Sequence, residues 1–263
     1  MGVMDGKVTL VVGTGAGLGK EVARAVLREG GRVAMADLRV DVATGVRSDL
    51  DPEGVRTSLH QFDLSQHDTA VELVSEVIER HGRLDGLALV AAYDTAMGSL
   101  LDSDAITEWE RMSKINVAGN LALIKAAAPE LEKAGNASVV FVGSVAAVEP
   151  SNNFPQLAYG LSKATMVGMT HYMSRELGPR GIRVNDVAAG YKWGPVLESA
   201  YQAVADQHGI TLDEATQPMK DQLSLRRFAD DADVANAMVF FLSPWSQNIT
   251  GQVVYVDAGQ VLH

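Results

Sequence analysis

Tyr159 and Lys163 stand four residues apart in Ala158-Tyr-Gly-Leu-Ser-Lys-Ala164, a spacing that brings both side chains to one face of a helix. A phenol titrating near ~10 is a poor base at neutral pH, but an adjacent ammonium and a cationic nicotinamide ring both favour its phenolate. Of the six tyrosines, only Tyr159 has a lysine four residues on. Far upstream, Gly13-Thr-Gly-Ala-Gly-Leu-Gly19 offers a turn in which residues without Cβ let a pyrophosphate approach backbone N–H groups at the positive end of a helix. Together the two motifs read as nicotinamide-dependent hydride transfer. Asp37, about twenty residues beyond the glycines, is placed to accept hydrogen bonds from the adenosine ribose. Its charge would repel a 2′-phosphate and the glycine loop carries no Lys or Arg, so the expected cofactor is NAD; Arg39 alone points toward NADP.

The elements that must position these residues alternate along the chain. Apolar runs at Lys7 to Gly13, Arg32 to Asp37, Val55 to Phe62, Leu84 to Ala91, Ser138 to Gly143, Ile182 to Ala188 and Gln252 to Val256 read as strands, with helical patterns between them. Seven near-continuous apolar strands joined by long crossovers must be parallel and covered on both faces. The fold expected is α/β: a doubly wound, seven-stranded parallel Rossmann-type sheet. Its ligand belongs at the carboxyl ends of the strands, where Gly13 to Gly19, Asp37, Asp63, Ala91 to Asp94, Ser144 and Ala188 to Gly194 gather. No linker, repeat or low-complexity tract interrupts the 263 residues, so residues 1–263 are expected to form one domain.

Composition narrows the partners. The net charge is −11 with acids and bases interspersed, which argues against nucleic acid, an anionic membrane or an acidic carrier protein as partner. There is no cysteine, and the six histidines show no ligand spacing, so no metal site is expected. No apolar run reaches membrane-spanning length and the N-terminus lacks a leader pattern, leaving a cytoplasmic protein as the default.

With these motifs assembled, the chain resembles the short-chain dehydrogenases/reductases from about Lys7 to Gly259. Beyond the glycine turn and Tyr-x-x-x-Lys, the likeness rests on Asp63-Leu64, Asn116 in Lys-Ile-Asn-Val-Ala-Gly, Ser144 in Val-Phe-Val-Gly-Ser, Asn185 in Ile-Arg-Val-Asn-Asp, Ile249-Thr-Gly-Gln and Val256-Asp-Ala-Gly259. The resemblance implies a catalytic tetrad of Asn116, Ser144, Tyr159 and Lys163. Tyr159 would exchange the substrate proton, Ser144 hold the substrate oxygen, Lys163 bind the nicotinamide ribose, and Asn116 hold a water leading to solvent. Gly13, Gly17, Leu18, Gly19, Asp37, Asp63, Leu64, Ala91, Gly190 and Lys192 would surround the cofactor with Tyr159 and Lys163. A homotetramer is implied as well.

Two departures from the family pattern stand out. Leu89-Val-Ala-Ala92 replaces Asn-Asn-Ala-Gly with hydrocarbon, and Gly194 stands where a Thr would grip the carboxamide. Losing a polar group together with its need for partners can be nearly neutral, and one missing net hydrogen bond costs about 1 kcal/mol. Residues 194–223 read as a helical lid, with Tyr93, Asp94, Glu149, Phe154, Tyr191 and Trp193 as candidate substrate walls, suggesting a cyclic or aryl secondary alcohol or ketone. The alternatives are an NADP-linked carbonyl reductase and a non-catalytic NAD-binding scaffold or sensor.

Overall fold

β1 (Val8–Val12) is buried at every position. Its side chains divide by parity, Val8, Leu10 and Val12 joining one apolar cluster and Val11 the other, because successive strand residues point to opposite faces. The computed structural model describes residues 2–94, 98–150 and 155–262, with Pro195 and Val196 described through their backbone alone.

The remaining strands are β2 (Arg32–Asp37), β3 (Thr57–Gln61), β4 (Gly86–Leu89), β5 (Ala137–Ser144), β6 (Ile182–Ala189) and β7 (Val253–Val256). They form one seven-stranded sheet in the order β3-β2-β1-β4-β5-β6-β7, every pair parallel, as the apolar runs require. The order reverses between β1 and β4, so their carboxyl ends border a crevice that no crossover covers.

Nine α-helices are described: α1 (Leu18–Arg28), α2 (Val40–Leu50), α3 (Ala70–His81), α4 (Ala105–Met112), α5 (Asn120–Ala134), α6 (Leu157–Leu177), α7 (Pro195–His208), α8 (Leu212–Lys220) and α9 (Asp231–Leu242). Leu73 and Val77 of α3, Leu123 and Leu131 of α5, and Met166 of α6 cover one face of the sheet around Leu10, Leu87 and Phe141. Val22 and Val26 of α1 and Val234, Met238 and Phe241 of α9 cover the other, around Val11, Met35 and Val187.

The departure at the end of β4 is accommodated as hydrocarbon. Leu89 is buried and pairs with Val12, and the N–H groups of Val90 and Ala91 both donate to the Val12 carbonyl, at 3.0 and 2.8 Å. The helical path between β4 and β5 is interrupted: α4 and α5 are joined by a π-helical turn at Ser113–Gly119. An inserted turn of this kind re-aims one side chain, and here it sends Asn116 into the interior.

α7 and α8 make a helical hairpin. Gly209 ends α7 in the left-handed conformation and Thr211 starts α8 with a capping box shared with Glu214. Among the described residues, no helix is long and apolar enough to cross a membrane, and no group of three or more His, Cys, Asp and Glu is placed to hold a metal ion.

Candidate active site

The glycine turn follows β1 directly. Gly13 has φ +92°, and a Cβ there would stand 2.5 Å from the Ala91 nitrogen; at Gly19 it would stand 1.8 Å from the Gly13 carbonyl oxygen. Only glycine permits both the turn and the close approach of α1 to β1 and β4. The loop opens onto a groove of about 650 Å³ lined by Gly13, Gly15, Asp37, Asp63, Leu64, Ala91 and Tyr93. Gly13, Asp37, Asp63, Leu64 and Ala91 are among the residues expected to surround the cofactor, whereas Tyr93 is a candidate substrate wall, and a cradle that side chains would fill suits a pyrophosphate.

Two charges flank the groove near Gly15. Asp37 accepts the Arg39 backbone N–H through Oδ1 at 2.8 Å. Its Oδ2 lies 3.9 Å, and the Arg39 guanidinium 3.7 Å, from where a Cβ on Gly15 would stand. One carboxylate oxygen therefore remains to receive ribose hydroxyls, with a cation beside it. Asp63 Oδ1 accepts the Ser65 N–H at 2.8 Å, which fixes the carboxylate at the groove wall.

The four residues expected as a tetrad come from three elements: Asn116 from the π-helical turn, Ser144 from the end of β5, and Tyr159 and Lys163 from α6. Tyr159 and Lys163 share one face of α6, with the ammonium 5.4 Å from the phenol ring centroid. Lys163 is 2% exposed, and Nζ donates to the Val142 carbonyl of β5 at 2.6 Å, which ties it beneath the strand end that carries Ser144. Ser144 Oγ accepts the Ala146 N–H at 3.1 Å, so its own proton remains to be donated.

Asn116 is fully buried and spends its amide on positioning. Oδ1 accepts the Tyr93 N–H at 2.8 Å and Nδ2 donates to the Tyr93 carbonyl at 2.9 Å, while Ser162 Oγ of α6 lies 3.3 Å from Nδ2. The side chain thus pins the chain leaving β4 against α6. Its backbone carbonyl accepts Asn120 Nδ2 at 2.7 Å.

The candidate substrate residues divide. Tyr93 lines the nucleotide groove, its hydroxyl 3.3 Å from Glu108 Oε2 and its ring 4.2 Å beneath the Arg111 guanidinium. Trp193 stacks on Phe228 at 5.4 Å and 19°, which makes it a support of the segment after β6. The Tyr191 N–H donates to Gln260 Oε1 at 3.2 Å, so the C-terminal turn holds this segment from below. Asp94 and Glu149 are exposed, and Phe154 lies outside the described residues. Gly194 is extended and starts α7. Asn185 bridges backbone as a strut, donating to the Ile249 carbonyl and accepting the Gln252 N–H.

Two acids escaped the sequence reading. Asp231, the first residue of α9, pairs with Lys192 at 2.5 Å beside Gly17; the only signal was a capping box at Asp230 and Asp233 that marks the helix start. Asp186 is buried in mid-strand on β6, and a lone carboxylate within an apolar run was its signal.

Comparison with known proteins agrees with this geometry. The family model described as Enoyl-(Acyl carrier protein) reductase matches residues 12–260. The chain is 31% identical over 256 residues to dehydrogenase/reductase SDR family member 4 of Homo sapiens, covering 96% of this chain and 87% of that protein. It is 29% identical over 266 residues to the 3-oxoacyl-(acyl-carrier-protein) reductase of Thermotoga maritima, covering 98% and 99%. Among solved structures, a 7α-hydroxysteroid dehydrogenase complexed with NADH and 7-oxo glycochenodeoxycholic acid superposes with a TM-score of 0.86 at 27% identity, covering 100% of this chain and 97% of that one.

Proposed function

The chain belongs to the short-chain dehydrogenase/reductase family, and from that premise we propose that it interconverts a secondary alcohol and a ketone using NAD(H). The observation that carries this reading is the Lys163 ammonium, anchored on the Val142 carbonyl two residues before Ser144 on β5 and 5.4 Å from the Tyr159 ring. A nicotinamide held in the groove supplies or takes the hydride.

The chain's own residues do the rest. Backbone N–H groups of Gly13 to Gly19 hold the pyrophosphate, Asp37 the adenosine ribose, Asp63 and Leu64 the adenine, and Gly190 and Lys192 the carboxamide edge. Ser144 donates its free proton to the substrate oxygen, and Tyr159 gives or takes the proton at that same atom. Lys163 holds the nicotinamide ribose and favours the phenolate by its charge.

The substrate class is a cyclic or aryl secondary alcohol. Aromatic Tyr191 on the segment after β6 and the helical hairpin of residues 194–223, acting as a lid, support a bulky apolar substrate. The 7-oxo ligand of the hydroxysteroid dehydrogenase neighbour is a cyclic ketone, the oxidised form of such an alcohol. A net charge of −11 disfavours an acidic carrier protein as the substrate's vehicle. We further assign a cytoplasmic homotetramer. Exposed Leu121 of α5, Leu157 and Leu161 of α6 and Val254 on edge strand β7 offer apolar surface for symmetry mates.

Arg39 favours a second reading, an NADP-linked carbonyl reductase, because its guanidinium reaches the 2′ side of the groove. Titration with NADH and NADPH, followed by nicotinamide fluorescence, separates the two. Preferential NADH binding, followed by turnover of cyclic or aryl alcohols with NAD, is the expected result. Preference for NADPH reverses the cofactor assignment, and binding of neither leaves a scaffold without turnover.

A further inference from the structure

β6 is buried from end to end, yet it carries a carboxylate at Asp186, 0% exposed. Asp186 pairs in register with Phe141 and points, with Val184, to the face covered by α6. It occupies space left by the missing side chain of Gly143: a Cβ there would lie 2.3 Å from Oδ1 and 2.7 Å from Oδ2. Among the described residues, neither oxygen has a hydrogen-bond partner of normal geometry. Buried polar groups are nearly always satisfied, so an orphaned carboxylate behind an active site needs a reason.

The groups facing it are few. Lys163 approaches from α6, too far for an ion pair but near enough to attract it; Tyr255 comes from β7, with Asp257 beyond; β5 presents only the Gly143 N–H. Burial pushes the Asp186 carboxyl up to about 7, against the opposing pull of Lys163 and that N–H. Among the described residues, the one cation acting on it is the one that faces Tyr159.

We infer that Asp186 is a positioning residue for the Tyr159–Lys163 pair, its buried carboxyl setting by its charge how strongly the Lys163 ammonium supports a phenolate at Tyr159. Protonated, it leaves the ammonium's field undiminished. Ionised, it offsets that field and opposes a second negative charge nearby. The inference rests on the assignment of Tyr159 as acid/base, and it makes the balance between alcohol oxidation and ketone reduction sensitive to pH.

The test has one readout that needs no substrate. Phenolate formation at Tyr159 is followed by difference absorbance between each protein and its Tyr159→Phe counterpart, in the wild type, Asp186→Asn and Asp186→Ala, with NADH binding as the check on folding. Both Asp186 variants should form the phenolate at lower pH, by about one unit, the size expected for one charge several ångströms away in a protein interior. The alkaline rise in kcat/KM for alcohol oxidation should move the same way. Unchanged midpoints in a variant that binds NADH normally would overturn the inference; Asp186→Ala covers the case in which a buried amide does not fold. Shifted midpoints without turnover of any alcohol would instead sink the dehydrogenase assignment and leave Asp186's influence standing.

Discussion

Lys192 Nζ lies 2.5 Å from Asp231 Oδ1, and Asp231 Oδ2 lies 3.5 Å from where a Cβ on Gly17 would stand. The ion pair therefore crosses from the segment after β6 to the first turn of α9, against the loop that would hold the pyrophosphate. A carboxylate there opposes a phosphate, and the lysine offsets it. Lys192→Met is expected to weaken NADH binding about tenfold, or ~1.4 kcal/mol, with a smaller loss at high salt. Asp231→Asn should tighten binding. Both side chains are about 30% exposed, so the pair itself adds no more than about 1 kcal/mol to stability. Titration of both variants at two salt concentrations checks this; a shift of the same sign in both would show that the pair acts by shape instead of charge.

Tyr159→Phe removes the proton carrier and keeps the ring that packs near Met112 and Ala158. Turnover should fall by about 10²–10⁴-fold, the range ascribed to a positioned general acid or base. NADH affinity should change little. Steady-state kinetics alongside a binding titration decide the matter, and equal turnover in the variant would remove Tyr159 from the mechanism.

Asp37 and Arg39, of opposite charge beside Gly15, are expected to set opposite cofactor preferences. Asp37→Ala removes the repulsion of a 2′-phosphate and leaves the guanidinium in place. The ratio of kcat/KM for NAD over NADP is expected to drop about tenfold, a discounted value for a charge near solvent. Arg39→Ala should raise that ratio. Unchanged ratios in both variants would place the discrimination elsewhere in the groove.

The sheet was legible because its information is local. β2 matches its expected bounds residue for residue, and Gly13 and Gly19 sit where a turn and a helix crossing forbid a side chain. The π-helical turn was not legible, since Lys114 to Ala118 carries the same periodicity as an uninterrupted helix; what forces the insertion is Asn116 reaching Tyr93, a contact 23 residues away. Lys192 shows the same limit. Its place just after β6 could be read from the chain, but its charge partner lies 39 residues on. Trp193, a candidate substrate wall, shows it too, since only the fold reveals Phe228 stacked against it.

Asp186 should also leave a mark on stability. Its carboxyl titrates at 3.8 when free and at about 7 in the folded chain. Between those values the native state holds a proton that the unfolded state has released, so unfolding becomes easier as pH rises. This is the reverse of an ion-paired carboxylate, whose contribution is lost on acidification. The loss sets in above the free value and is complete above the folded one, amounting to at most about 4 kcal/mol at ~1.4 kcal/mol per unit. Urea unfolding at pH 5 and pH 8 should thus show the wild type losing more stability than Asp186→Asn or Asp186→Ala over the same interval. Other titrating groups are common to all three proteins and cancel in the difference. If the three lose stability in parallel, the carboxyl does not carry its proton through this range, and the partnerless geometry beside Gly143 must be relieved by a bound water or a counter-charge.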